Sequence, residues 1–156
     1  DISSNELRQA CPNYRGAAIY ATVRNTPHSK GLWQEIDAFT RELQATETVD
    51  SIKQQTAIVA TRDAYRACGK DPSRYRPSAE ALRRRLLRGL DLYQIDTLVD
   101  LINLVSLRTG YSIGGFDADK IQGTNLCLGI GKADEEFEGI GRGPLNIEAH
   151  ERYYYG

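Results

Sequence analysis

The chain has 156 residues and a net charge of −1, with 40% apolar and 26% charged residues. These values are typical of one globular domain, 1–156, whose core is large enough to be stable without disulfides or bound metal. The charge balance excludes a polycation, so nucleic-acid binding would require a local patch. Three widely spaced cysteines without a CxxC pair predict neither a disulfide framework nor a zinc site, and favour a reducing cytoplasm. No apolar run reaches the ~18 residues of a membrane span, and no signal peptide is expected.

An early strand and four helices are predicted before residue 110. The apolar stretch Gly16–Asn25, with Ile19, Tyr20 and Val23, indicates a strand. Apolar residues at helical spacing indicate the helices. These helices cover residues 30–44, 51–69, 78–89 and 93–110. The last of them is the most apolar, and the width of its stripe suggests burial on most sides.

After Gly110 the pattern changes to short segments that alternate with glycines. The segments SIGGFDAD, NLCLGIG and FEGIGRGPLNI are typical of strands and turns. Helices followed by strands predict an α+β fold. Gly114 and Gly115 are adjacent where one strand is predicted to start, and paired glycines there indicate a bulge or a close approach by a ligand or another backbone.

The sequence contains no complete glycine-rich nucleotide-binding motif and no complete set of metal ligands. GIGRG and GIG lack the glycine that the dinucleotide fingerprint needs at its sixth position, and Gly131-Lys132 is not followed by Ser or Thr. The pair Asp117 and Asp119 has Ile121 where a third calcium ligand would stand. No Ser–His–Asp set can be assigned around either histidine. We therefore expect no cofactor and no metal, and assign no catalytic residue.

Nine basic residues lie between Arg62 and Arg88, opposed by three acidic ones. A guanidinium group can donate two parallel hydrogen bonds to one phosphate. Tyr65 and Tyr75 lie among these arginines in the sequence and could stack on unpaired bases. This pattern favours RNA binding, and the competing interpretation is a solvated helix face whose arginines pair with Asp or Glu. The predicted RNA contacts are Arg74, Arg76, Arg83, Arg84, Arg85 and Arg88.

Three motifs in one register resemble a known family. They are Arg76-Pro77-Ser78, Val99-Asp100 with Asn103, and Phe116-Asp117 with Asp119-Lys120. Their order resembles the B3/B4 tRNA-binding domain of the phenylalanyl-tRNA synthetase beta subunit, and more closely its free-standing relatives, over residues 65–147. The resemblance implies an α+β fold of mixed β-sheets flanked by helices, with tRNA as a partner. In the synthetase this domain hydrolyses tyrosine wrongly attached to the phenylalanine tRNA.

The resemblance also implies a pocket. Its predicted residues are Asn103, Gly114, Gly115, Phe116 and Asp117. The synthetase pattern has His-Ala where this chain has the two glycines, so the space there is either an enlarged pocket floor or a β-bulge. The acidic residue of the family pocket lies downstream, with Glu148 as the nearest candidate, and the C-terminal part of the domain is expected to be incomplete.

Asp96, Asp100 and Asn103 form one polar stripe at i, i+4 and i+7 on the apolar helix. A buried stripe must be hydrogen-bonded. Asp100 and Asn103 either tie the GGFDAD segment to the helix or hydrogen-bond a bound aminoacyl group. Three functions stay open: an RNA-binding module for tRNA or a tRNA-like element, a free-standing deacylase of mischarged aminoacyl-tRNA, or an amino-acid-binding pocket without an RNA role.

Overall fold

The structure, a computed structural model, describes the backbone of residues 2–132, 135–139, 143–147 and 154–155, and the side chains of residues 2–132. The described part is mostly helical. Its helices are α1 Asn5–Ala10, α2 Lys30–Thr46, α3 Val49–Gln54, α4 Thr56–Ala67, α5 Ser78–Leu87 and α6 Thr97–Thr109, with a 3₁₀ turn at Ala118–Lys120. Its strands are β1 Leu126–Cys127, β2 Glu135–Gly139, β3 Gly143–Ile147 and β4 Tyr154–Tyr155.

The strands form two separate antiparallel pairs, β1 with β4 and β2 with β3. The second pair is in register from Glu135 opposite Ile147 to Gly139 opposite Gly143. A parallel bridge joins Ser3 to Leu128. The order of helices before strands is thus as predicted, but mixed β-sheets flanked by helices are not found among the residues that the structure describes.

Contacts divide the chain into two compact units. The first unit comprises Asp1–Tyr20, Asp63–Pro72 and Phe116–Gly156, and the second comprises Ala21–Arg62 and Ser73–Gly115. In the first unit Leu7 of α1 is buried, and backbone hydrogen bonds join Ser4 N to Leu128 O at 2.8 Å and Leu128 N to Ile2 O at 2.7 Å. These bonds fix the start of the chain beside β1.

The second unit has a helical core. The packed pairs of helices are α2 with α5, α3 with α5, α5 with α6, and α2 with α6. Its buried apolar side chains are Trp33, Ile36, Leu43, Leu86, Leu92, Leu104 and Leu107. Burying a side chain of this size contributes roughly 1.5–3 kcal/mol to the free energy of unfolding, so this cluster fixes the relative positions of α2, α5 and α6.

The helix predicted over 93–110 begins later and is less buried than expected. Asp96 caps the start of α6, and Gly110, at a φ of +76°, ends it. Only one side of α6 packs against α2 and α5, and that side carries Leu104 and Leu107. Ile95, Leu101 and Val105 of the predicted stripe are 58%, 45% and 41% exposed, and only Leu104 of it is buried, so the expectation of burial on most sides is wrong.

The helix predicted over 51–69 is two helices. A capping box between Thr48 and Ser51 starts α3, and the extended backbone of Gln55 ends it before α4 begins. The amide of Gln55 lies where a β-carbon on Gly110 would be, so a larger residue would displace the end of this side chain, and the φ of +76° itself favours glycine. Periodicity misses this break because the apolar spacing continues through it.

The strand predicted over Gly16–Asn25 is not present. No described residue forms a ladder with this segment, and Ile19 and Tyr20 are 93% and 84% exposed. A strand needs a neighbour for its backbone groups and a cover for its apolar side. Local β-propensity supplied neither of these.

Candidate functional site

A cavity of about 300 Å³ lies in the second unit, between α5, the segment after it, and α6. It is lined by Ser78, Ala81, Leu82, Arg85, Leu92, Tyr93, Ile95, Asn103, Ser106 and Ile113. Helical spacing explains the α5 wall, because Ser78, Leu82 and Arg85 recur every three or four residues and so share one face. The cavity is therefore a half-open depression with mostly apolar walls and a few polar groups.

Arg85 and Tyr93 form a fixed pair at the polar end of the cavity. The Arg85 guanidinium carbon lies 4.1 Å from the centre of the Tyr93 ring, a cation–π distance. The Nε of Arg85 also donates to the carbonyl oxygen of Asp91 at 2.6 Å. These contacts leave other guanidinium N–H groups for an anionic or carbonyl oxygen. Tyr93 itself is 67% exposed, so its ring is also accessible to a stacking partner.

Asn103 places a half-buried side-chain amide on the α6 wall. No described residue hydrogen-bonds this amide, whereas its neighbour Ser106 donates to the carbonyl oxygen of Tyr111 at 2.6 Å. An amide has two donors and an acceptor, so Asn103 can bind a polar group in the cavity.

Asp100, a second member of the stripe, is buried, and both of its carboxylate oxygens accept hydrogen bonds. Its carboxylate accepts from Trp33 Nε1 at 3.0 Å and from the backbone N–H of Ile95 at 3.1 Å. The expectation of a hydrogen-bonded buried residue is confirmed for Asp100. The predicted partner of Asp100 is wrong, because its carboxylate accepts hydrogen bonds from α2 and from the segment before α6, and not from GGFDAD.

Of the predicted pocket residues, only Asn103 lines this cavity. A β-carbon on Gly115 would lie 3.3 Å from Cδ1 of Ile102, so the glycine makes room for a side chain of α6. Residues 111–117 are not in a strand, so the β-bulge alternative is wrong. Phe116 and Asp117 belong to the first unit, where Asp117 Oδ1 caps the 3₁₀ turn by accepting from Asp119 N at 3.1 Å. The candidate Glu148 lies outside the described residues.

Part of the basic segment is internal. Arg62 Nη1 donates to both carboxylate oxygens of the fully buried Glu80 at 2.9 Å, and Arg84 Nη2 lies 3.6 Å from the same carboxylate. Arg83 is 5% exposed, pairs with Glu47 at 3.2 Å, and donates to the carbonyl oxygen of Leu107. The assignment of Arg83 and Arg84 to RNA contact is therefore corrected, because buried charges require fixed partners and these arginines have them.

The remaining predicted arginines are accessible. Arg74 and Arg76 are exposed just before α5, and Arg88 is exposed at its C-cap. The guanidinium of Arg74 lies 5.2 Å from the centre of the Tyr75 ring, and no described residue pairs with Arg76 or Arg88. Exposed cations thus occur at both ends of the helix that forms one wall of the cavity.

Sequence reasoning missed the rest of the cavity lining. Tyr93 is eight residues beyond Arg85 and reaches it only because Gly89, at a φ of +80°, turns the chain after α5. A glycine after a basic helix end, followed by an aromatic residue, is a signal that could have suggested this pair. Among the described residues no three His, Cys, Asp or Glu side chains gather as metal ligands. No described helix is long and apolar enough to cross a membrane.

The family model for the B3/4 domain matches residues 60–153, more than half of the chain. The chain therefore belongs to the B3/4 domain family, whose domain is found in the phenylalanyl-tRNA synthetase beta subunit. The matched range contains α5, α6 and the whole cavity lining, and it confirms the resemblance inferred over 65–147. No curated protein and no solved structure is found to match the chain.

Proposed function

We propose that this chain is an RNA-binding domain that recognises tRNA or a tRNA-like element. The observation that carries the proposal is that α5 has exposed arginines at both ends and forms a wall of the cavity between them. A helix of 10 residues is about 15 Å long, so an RNA strand contacting both ends would pass the cavity mouth. A terminal nucleotide or an aminoacyl group would then enter the cavity.

Two kinds of contact support this proposal. Arg74, Arg76 and Arg88 would bind phosphates, and the accessible ring of Tyr93 would stack on a base, a contact worth roughly 1–3 kcal/mol of binding free energy. Membership of a family whose domain is found in a tRNA synthetase supports tRNA as the RNA. Single-domain organisation over 1–156 and a cytoplasmic location, where tRNA is used, belong to the same proposal.

Affinity for bulk tRNA at several salt concentrations tests the phosphate contacts. Because each neutralised phosphate releases counterions, replacing Arg74, Arg76 and Arg88 by Ala should lower the slope of log K against log[salt] by about 2, at about 0.7 per contact on a single strand. The matched control replaces Arg24, Arg41 and Lys53, which are equally exposed, by Ala. Equal losses in both variants, or no loss in the first, would reject the proposed face.

A second candidate function is binding of an amino acid or an aminoacyl group without RNA. The free amide of Asn103 and the fixed guanidinium of Arg85 favour it, since they suit a ligand with a carbonyl or carboxylate beside an apolar side chain. A ligand bound only to the native state raises the melting temperature. Free amino acids should therefore raise the melting temperature of the wild type more than that of Asn103→Ala, and no shift with any amino acid counts against this function.

Deacylation is the third function to test. The described lining of the cavity contains no His, no carboxylate and no thiol, and its phenol, Tyr93, is held by the Arg85 guanidinium. We therefore rank binding above hydrolysis. Charged and uncharged tRNA pools distinguish the two functions, because release of the amino acid faster than in buffer would show a deacylase.

A further inference from the structure

Two cysteines far apart in sequence meet in the first unit. The Sγ atoms of Cys11 and Cys68 lie 3.8 Å apart, and Cys11 Sγ is also 3.7 Å from the carbonyl oxygen of Ala64. Cys11 is the C-cap of α1, and Cys68 directly follows α4, so both thiols lie at helix ends. The wide sequence spacing had predicted no pairing, because periodicity does not reveal which helix ends meet.

We propose that Cys11 and Cys68 form a redox-active dithiol site that a small disulfide, such as oxidised glutathione, converts to a disulfide. A disulfide requires an S–S distance of about 2.05 Å, so the two sulfurs must approach by under 2 Å, a shift within reach of side-chain rotation and small movements of the two helix ends. The inference is independent of the proposed RNA function, since all the groups involved belong to the first unit.

The difference in burial between the two thiols sets the order of reaction. Cys11 is half-buried and accessible, whereas Cys68 is 3% exposed. The Cys11 thiolate attacks one sulfur of oxidised glutathione, which forms a mixed disulfide and releases one glutathione thiolate. The Cys68 thiolate then attacks Cys11 Sγ and releases the second. Two protein thiols are oxidised, one small disulfide is reduced, and the two protons end on two glutathione molecules.

Intact-mass measurement after incubation with oxidised glutathione tests the site. The matched control Cys127→Ser should lose two hydrogens and retain no glutathione, and the wild type should lose the same two hydrogens, with any retained glutathione confined to Cys127. Cys68→Ser should accumulate one glutathione on Cys11, since it lacks the resolving thiol. Cys11→Ser should stay unmodified at Cys68, because burial protects that thiol. Dithiothreitol should reverse every change.

The oxidised wild type should also unfold at a higher denaturant concentration, because the bond closes a long loop of the unfolded chain. A stable glutathione adduct on Cys127→Ser, a disulfide that includes Cys127 in the wild type, or no loss of hydrogens in either protein would each overturn the proposal. The wild type and Cys127→Ser keep both thiols of the site, so their comparison decides the matter even if a variant at position 11 or 68 fails to fold.

Discussion

Two groups of arginines near α5 have the same chemistry and opposite surroundings. Arg62, Arg83 and Arg84 lie inside the second unit, on the carboxylates of Glu80 and Glu47, while Arg74, Arg76 and Arg88 are exposed. The members of the two groups alternate along the sequence, so the sequence alone does not separate them. The difference shows that arginines from one basic segment can be buried or exposed, depending on whether a carboxylate of the folded chain pairs with them.

The largest effect expected from this comparison is at Glu80. Glu80→Ala leaves Arg62 without its carboxylate partner, and breaking such a pair should lower the free energy of unfolding by about 3–5 kcal/mol. Urea denaturation measures the loss. Asp63→Ala is the control, since it removes an exposed pair with Arg66 at 3.0 Å and should cost under about 1 kcal/mol. Similar small losses in both variants would mean that the internal pair is not structural.

Arg83→Ala should have the next largest effect. It removes the ion pair with Glu47 and the hydrogen bond to Leu107, and we expect a loss of about 2 kcal/mol in the free energy of unfolding. Affinity for tRNA, measured at a temperature where the variant is folded, should stay near the wild-type value. A large loss of tRNA affinity in the folded variant would mean that Arg83 contacts the RNA after all.

Arg88→Ala should show the reverse pattern. Its side chain is exposed and has no described partner, so the free energy of unfolding should change by under about 0.5 kcal/mol. The salt slope for tRNA binding should fall by about 0.7, the contribution of one phosphate on a single strand. Parallel titrations of wild type and variant measure both quantities, and an unchanged slope would remove Arg88 from the proposed face.

The smallest expected effect is at Asp96, a partly exposed carboxylate that caps the start of α6. Hydrogen bonds from the backbone N–H of Val99, and then from the Asn25 side chain, lower the pKa of the Asp96 carboxyl in the folded chain. A lowered folded pKa stabilises the protein above the unfolded pKa, and this contribution is lost as the pH falls through the folded pKa.

Asp96→Asn keeps a good N-cap but removes the charge. Its denaturation midpoint should therefore lie below that of the wild type at neutral pH and converge with it on acidification below the ordinary Asp range. A difference that does not change with pH would show that the charge of Asp96 contributes nothing. In that case Asp96 would stabilise α6 through its N-cap hydrogen bond alone.

The sequence predicted the elements whose cause is local. The apolar spacing of α2 and the glycine that ends α6 were both readable, and the order of motifs led to the B3/4 family. Asn103 lies in the cavity lining, and its position on a polar stripe of an apolar helix is a local pattern, while its role in binding stays a prediction. Each of these follows from residues within a few turns of one another.

The errors arose where distant residues decide the outcome. Burial of Arg83 depends on Glu47, which is 36 residues earlier, and the exposure of Ile19 reflects a missing neighbour. The cavity needs Tyr93 to turn back onto Arg85 after Gly89. The meeting of Cys11 with Cys68 likewise has no local signal.

The second unit holds the two ends of an insertion together. The chain leaves it after Arg62 and re-enters at Ser73, and Arg62 Nη2 donates to Ser73 Oγ at 3.0 Å. The ten residues Asp63–Pro72 therefore start and finish at one hydrogen-bonded point. Residues 63–67 continue α4, and Cys68 belongs to the proposed dithiol site, so a change of length is tolerated best after Cys68, where the chain runs back to Ser73. Loop-closure entropy grows only slowly with length, by about 0.6 kcal/mol for each doubling, and we expect any length differences among relatives to fall in this short connection.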